Sequence, residues 1–258
     1  MGVLFDDQRL GEARYLQLHV NTENITIVLK GPKYPGNVGF VARCAKNMGI
    51  DRIVVVDSKD LPPEEMKQMS THVAAGLIEG IRYFDKLENV LGEFEFIVGM
   101  TSRRGSARGP VASPRQMAET LIDISQHNRV ALLFGPEDRG LANEDLRYCQ
   151  ALVTIPTAET FKSINLSHAV MILCYELWTV RKEALAVFTP RLATSAETEG
   201  MYDQIKTLLA KIGFLNLQNP EYWMWHIRRF FSRTKLLAKD VKIIRGICRQ
   251  LDWSLNNK

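Results

Sequence analysis

Asn24-Ile25-Thr26-Ile27-Val28-Leu29-Lys30-Gly31-Pro32-Lys33-Tyr34-Pro35-Gly36-Asn37-Val38-Gly39-Phe40-Val41-Ala42-Arg43-Cys44-Ala45-Lys46-Asn47-Met48-Gly49 changes period in the middle, and that change decides the fold. Residues 24 to 29 are β-branched and apolar and stop at Gly31-Pro32, which predicts a buried strand. From Asn37 the apolar residues fall at Val38, Val41, Ala42, Ala45 and Met48, the spacing of one helical face, with Asn37 near the cap and Gly49 at the end. Arg43 lies about 140° round the helix from Val38, away from that apolar face. A strand that is apolar throughout, followed at once by a helix, is the repeating unit of a parallel sheet covered on both faces.

The same alternation recurs downstream. Arg52–Asp57, Phe94–Met100, Val130–Phe134 and Ala151–Pro156 read as further buried strands. Helices are expected in pieces from Pro62 to Leu91, from Ser113-Pro114 to about Ser125, from Asn143 to Tyr148, and from the polar run Ser163-Ile164-Asn165-Leu166-Ser167-His168 to about Arg181. Taken alone, Ser163 to His168 is an ordinary helix cap, because Ser and Asn lead the capping preferences. Residues 32–37, 101–105, 135–140 and 156–167 all follow the carboxyl ends of strands, where α/β sheets gather their sites.

Residues 1–23 show no clear period and are expected to be an N-terminal extension. The body spans 24–188, a polar linker 189–199, and a helical domain 200–258. Three helices are expected in that domain, over Gly200–Ile212, Glu221–Arg233 and Lys239–Leu251. It carries eleven Lys and Arg against four Asp and Glu, whereas residues 1–199 carry 22 against 25. A basic appendage on a nearly neutral body fits a polyanion, with nucleic acid first. Trp223, Trp225, Phe230 and Phe231 interleave with Arg228 and Arg229, and most of these aromatics are expected in the core of the small helical domain.

No apolar run approaches the ~20 residues that cross a bilayer, and the chain shows no leader, so a cytoplasmic protein without a membrane partner is expected. Cys44, Cys149, Cys174 and Cys248 are too far apart for a zinc motif and read as buried thiols. No metal is expected. The loops lack a Gly-x-Gly-x-x-Gly after the first strand, the Lys-Ser/Thr pair of a P-loop and a Gly-x-Ser-x-Gly elbow, which removes dinucleotide, nucleoside triphosphate and serine hydrolase readings. What remains is Asn37, Arg43, Glu137, Ser163 and Asn165, polar groups of separate loops able to meet around one small ligand.

Pro35-Gly36-Asn37-Val38-Gly39 through Arg43 to Asn47-Met48-Gly49, then Phe134-Gly135-Pro136-Glu137-Asp138-Arg139-Gly140-Leu141, then Ile155-Pro156 through Ser163-Ile164-Asn165-Leu166-Ser167, resemble the three motifs of the SpoU-type SPOUT RNA 2′-O-ribose methyltransferases. The resemblance covers roughly residues 24–180. The tail, with Ile212-Gly213-Phe214-Leu215, Asn219-Pro220 and Ile244-Arg245-Gly246-Ile247-Cys248-Arg249-Gln250, is similar to that of the TrmJ branch, which acts on nucleotide 32 of tRNA.

The resemblance implies an α/β fold with a C-terminal trefoil knot, S-adenosylmethionine as cofactor, tRNA as substrate and a homodimer whose sites borrow residues from both subunits. The apolar helix after Ser167 is the interface candidate. By position in the motifs, Arg43 matches the catalytic residue; a positioning role on the ribose or phosphate is preferred because a guanidinium keeps its proton, and a role as the base stays open. Asn37, Glu137, Ser163 and Asn165 match the other polar catalytic positions. Thr101, Ser102, Gly135, Glu137, Gly140, Ile155, Pro156, Ser163 and Leu166 match cofactor contacts. Arg43, Arg103, Arg104, Arg228 and Arg229 are expected on RNA, and His168 is expected to be a helix-start residue only. Alternatives left open are an rRNA or a different tRNA nucleotide as target, and a non-catalytic RNA-binding module.

Overall fold

The computed structural model describes residues 16–58, 61–102, 111–184, 190–215, 218–232 and 234–257. In chain order its elements are β1 (Leu16–Leu18), a turn of 3-10 helix at Thr22–Asn24, β2 (Ile25–Lys30), α1 (Pro35–Asn47), β3 (Ile53–Val56), α2 (Pro63–Met69), α3 (His72–Glu79), β4 (Arg82–Phe84), α4 (Glu88–Leu91), β5 (Phe96–Met100), β6 (Val111–Ala112), α5 (Pro114–Ile124), β7 (Val130–Phe134), α6 (Asn143–Leu146), β8 (Ala151–Val153), α7 (Leu166–Thr179), β9 (Lys182–Ala184), α8 (Ser195–Lys211), α9 (Pro220–Ser232) and α10 (Ala238–Asn256).

Seven strands form one sheet in the order β4-β3-β2-β7-β5-β8-β6, and every pairing in it is parallel. Alternate residues of its central strands feed two cores. Ile25, Ile27, Leu29, Val55, Leu132 and Phe134 face the layer of α1, α5 and α7, while Val28, Val54, Val56, Ala131 and Leu133 face the layer that holds Leu91 and Tyr148. Burial on both faces is the reason these strands are apolar at nearly every position. β8 follows β5 and β6 in the chain yet lies between them, the insertion that a threaded, knotted sheet requires. No helix among the described residues is long and apolar enough to cross a membrane.

Several expectations shift. β4 and β6 are short edge strands of three and two residues with no apolar pattern, and only their pairing defines them. α7 ends at Thr179, and the chain then extends into β9, which pairs antiparallel with β1; part of the N-terminal extension is therefore clamped to the body. The expected linker is partly helix. Thr194 caps α8, its Oγ1 accepting from Glu197 N–H at 3.2 Å while Glu197 Oε2 accepts from Thr194 N–H at 2.9 Å, so residues 195–199 are helical. Leu192 N–H donates to Asn128 Oδ1 and Ser195 N–H to Phe94 O, which fastens the start of α8 to the body. The reciprocal Thr-x-x-Glu pattern is a helix-start signal legible at those positions.

The tail also differs in its core. Met201, Tyr202, Leu215, Met224 and Val241 fill it. Most of the four named aromatics are expected inside, but Trp223, Trp225 and Phe230 are exposed and, of the four, only Phe231 packs against that core.

Candidate active site

α1, the loop after β7 and the start of α7 meet beyond the carboxyl ends of β2 and β7. Asn165 is the N-cap of α7, its Oδ1 accepting from Ser167 N–H at 2.9 Å and from Ser167 Oγ–H at 2.7 Å. Its Nδ2 donates to Asn37 Oδ1 at 3.0 Å, and Asn37 Nδ2 donates to Glu137 Oε1 at 2.9 Å. Glu137 Oε2 accepts from the backbone N–H of Lys33 at 3.0 Å. An ionised carboxylate only accepts, so Asn37 must turn its amide nitrogen to Glu137. That leaves Asn37 the oxygen for Asn165, and Asn165 the oxygen for the helix start. Every amide in the chain of bonds therefore has one allowed orientation.

Two hollows share this wall. One, of about 320 Å³, is bounded by Thr101 and Ser102 after β5, by Gly135 to Leu141, by Ile155, and by Lys162 to Ile164, Leu166 and Ala169. The other is an open depression bounded by Tyr34, Asn37, Phe40, Phe161, Asn165 and His168. Glu137, Ser163 and Ile164 border both.

The loop in the first hollow closes on itself. A Cβ on Gly135 would lie 2.4 Å from the backbone of Gly140 and Leu141, and Gly140 has φ +64° with its N–H donating to Pro136 O at 2.8 Å. Only glycine permits the first approach, and the second conformation favours it. On the outer side Lys33 Nζ reaches Asp138 Oδ2 at 2.6 Å and holds that carboxyl below its ordinary range. Across the hollow, Thr154 Oγ1 donates to Thr101 O, tying the ends of β5 and β8. Exposed backbone, apolar Phe134, Ile155 and Leu166, and a few carboxyl and hydroxyl groups make a mixed wall. Such a wall suits a small ligand that has both apolar and polar parts.

Of the expected site residues, Asn37, Glu137 and Asn165 are bonded together and Ser163 borders both hollows. Thr101, Ser102, Gly135, Gly140, Ile155 and Leu166 line the first, and Pro156 does not. Arg43 is exposed on α1, borders neither hollow, and has no hydrogen-bond or ion-pair partner among the described residues. Arg103 and Arg104 lie outside the described residues. Arg228 is committed within the tail, its two terminal nitrogens on the Glu199 carboxylate at 2.5 and 2.7 Å and its guanidinium 4.3 Å from the Tyr202 ring. Arg229 lies over the Trp225 ring at 5.3 Å.

Lys33 and Ser167 belong to the bonded chain without having been expected as site residues. Lys33 contributes through its backbone N–H, which no side-chain pattern announces. Ser167 sits inside the quoted capping run, and its partner was the available signal.

The model of the SpoU rRNA Methylase family matches residues 24–175, and that of the tRNA methyltransferase TrmJ C-terminal domain matches residues 196–258. A tRNA (cytidine/uridine/adenosine-2′-O-)-methyltransferase TrmJ of Pseudomonas aeruginosa is 32% identical over 238 residues, 87% of this chain and 92% of its own. A tRNA (cytidine-2′-O-)-methyltransferase TrmJ of Methanocaldococcus jannaschii is 32% identical over 222 residues, 84% of this chain and 94% of its own. Among solved structures, that of TrmJ from Z. mobilis superposes with a TM-score of 0.77 at 24% identity, covering 88% of this chain and 98% of that one.

Proposed function

The chain belongs to the SpoU methylase family, and from that premise we propose that it transfers a methyl group to a ribose 2′-hydroxyl of tRNA, at nucleotide 32 of the anticodon loop. The observation that carries the reading is the bonded chain Asn165–Asn37–Glu137 standing between a glycine-walled hollow and an open one. The relatives at 32% identity are named tRNA 2′-O-methyltransferases and align over most of both chains. A tRNA substrate supports a cytoplasmic location.

S-adenosylmethionine fits the first hollow: the 135–140 loop offers backbone without side chains, Phe134, Ile155 and Leu166 offer apolar surface, and Thr101, Ser163 and Glu137 offer polar groups. When bound there it supplies an electrophilic methyl group. The residues of this chain do the rest by alignment. Glu137 is immobilised by donors on both oxygens, Asn37 and Asn165 are locked in one orientation, and Ser163 stands where the two hollows meet. The ribose enters from the open hollow, and its hydroxyl gives its proton to solvent there as its oxygen takes the methyl group. Arg43 keeps its charge and positions the ribose or the neighbouring phosphate.

Arg43 borders neither hollow of its own chain, and the exposed side of α7 carries Ile172, Tyr175 and Trp178 beside the buried Val170, Leu173, Cys174 and Leu177. A homodimer that packs on this face would bring the second chain's Arg43 to the site.

Incubation with labelled S-adenosylmethionine and unmodified tRNA, followed by mass-spectrometric mapping, tests the reading. A 2′-O-methyl group at nucleotide 32 is expected. Label on rRNA or at another nucleotide moves the target, and absence of label on any RNA overturns the activity.

A further inference from the structure

α9 turns its aromatics outward. At ~100° per residue, Met224, Ile227 and Phe231 form its inner face, and Trp225, Arg229, Tyr222, His226, Phe230 and Trp223 follow one another round the outer one. Tyr222 is 56% exposed, Trp225 40% and Phe230 65%. A solvent face ordinarily carries Lys, Glu and Gln, whereas here the acid of α9, Glu221, lies at the edge of the aromatic arc. Its rings are already ordered among themselves. His226 meets Tyr222 at 4.7 Å and Trp225 at 4.9 Å edge to face, and Arg229 covers Trp225.

We propose that the outer face of α9 is a stacking platform for unpaired nucleobases of the RNA substrate, which rests on the methyltransferase reading above. Charge selects this occupant. Residues 200–258 carry eleven Lys and Arg against four acids, and two of those acids are already paired, Glu221 with Lys206 and Asp252 with Lys211 at 2.5 Å. Rings offer a flat, sequence-tolerant surface to bases, and Arg229 adds a cation beside them for the phosphates. Paired RNA hides its base faces within the helix, so the fitting element is a loop with extruded bases.

The test uses the full chain and an unmodified tRNA transcript. Tyr222→Leu with Trp225→Leu keeps apolar bulk and helix propensity but removes the rings, and Tyr222→Phe with Trp225→Phe keeps rings. The leucine pair is expected to weaken tRNA binding roughly tenfold or more, with the salt dependence unchanged, while the phenylalanine pair stays near wild type. Arg229→Ala is expected to lower the slope of log affinity against log salt by about 1. Cofactor binding and circular dichroism at wild-type values certify the fold of each variant. Leucine-pair affinity within twofold of wild type overturns the proposal, as does a fall in sedimenting mass, which would make the face a protein contact. Wild-type methylation of tRNA measured alongside separates these failures from failure of the methyltransferase reading.

Discussion

Asn165 Nδ2 donates to Asn37 Oδ1 at 3.0 Å, joining two residues 128 positions apart. Because Asn37 then donates to Glu137, the three motif segments are one hydrogen-bonded object. Asn165 also caps α7, so the same side chain starts the helix and completes the site.

This polarity makes Asn37→Asp worse than Asn37→Ala. Alanine leaves a gap and is expected to lower kcat/KM about 100-fold through lost alignment. Aspartate sets a second carboxylate against Glu137, so one of the two must take up a proton to be tolerated. Its activity should fall below that of the alanine variant at neutral pH and recover as pH drops. A pH profile of kcat/KM checks this, and an aspartate variant at or above alanine at neutral pH would refute the assigned orientation.

Gly135→Ala and Gly140→Ala separate contact from conformation. At 135 the added carbon meets backbone at 2.4 Å, whereas at 140 nothing lies within 4 Å and only φ +64° is unfavourable. Gly135→Ala is expected to displace the loop and weaken S-adenosylmethionine binding by a factor of about 10 or more, from a clash of roughly 1–3 kcal/mol. Gly140→Ala is expected to cost about 1 kcal/mol of stability and to bind the cofactor nearly as wild type. Calorimetric titration and thermal melting read the two effects.

Arg43→Ala is expected to abolish methyl transfer while cofactor affinity stays intact. If a site takes Asn37 from one subunit and Arg43 from the other, mixing inactive Arg43→Ala with the weakly active Asn37→Ala should restore about a quarter of wild-type activity through hybrid dimers with one sound site. No recovery, with subunit exchange verified, would place both residues in one chain.

Arg228→Ala should act as a stability variant of the tail. Its two bonds to Glu199 and its seat over Tyr202 are lost together, at roughly 1–3 kcal/mol for charge-assisted hydrogen bonds. Denaturant unfolding should shift, and tRNA affinity at low temperature should fall less than for Arg229→Ala.

Burial raises the Cys174 thiol above its ordinary range. Above the unfolded thiol's pKa, about 8.5, the unfolded chain loses a proton that the folded chain keeps. Stability from this group is therefore complete at neutral pH and declines as pH rises past that value. Urea midpoints of wild type and Cys174→Ala between pH 7 and 9.5 should show a shallower decline in the variant.

Elements that carry their own pattern are legible in the residues alone. Ile25–Leu29 and Val130–Phe134 are strands because both faces are buried, and α1 shows its apolar stripe from Val38 to Ala45. Asn37, Glu137 and Asn165 stood out because polar groups clustered where strands end, and their resemblance to three ordered motifs supplied the chemistry. Tertiary structure decided what local pattern does not encode. β4 and β6 exist only through the strand beside each, since two or three edge residues have no period to read. The place of β8 between β5 and β6 depends on long-range pairing, as does the bond between Asn37 and Asn165. On α9 the sequence gives several apolar arcs, and only the seating of Met224 in the tail core turned Trp225 and Tyr222 to the solvent. Periodicity fixes which residues share a face, and packing against the rest of the chain fixes where that face points.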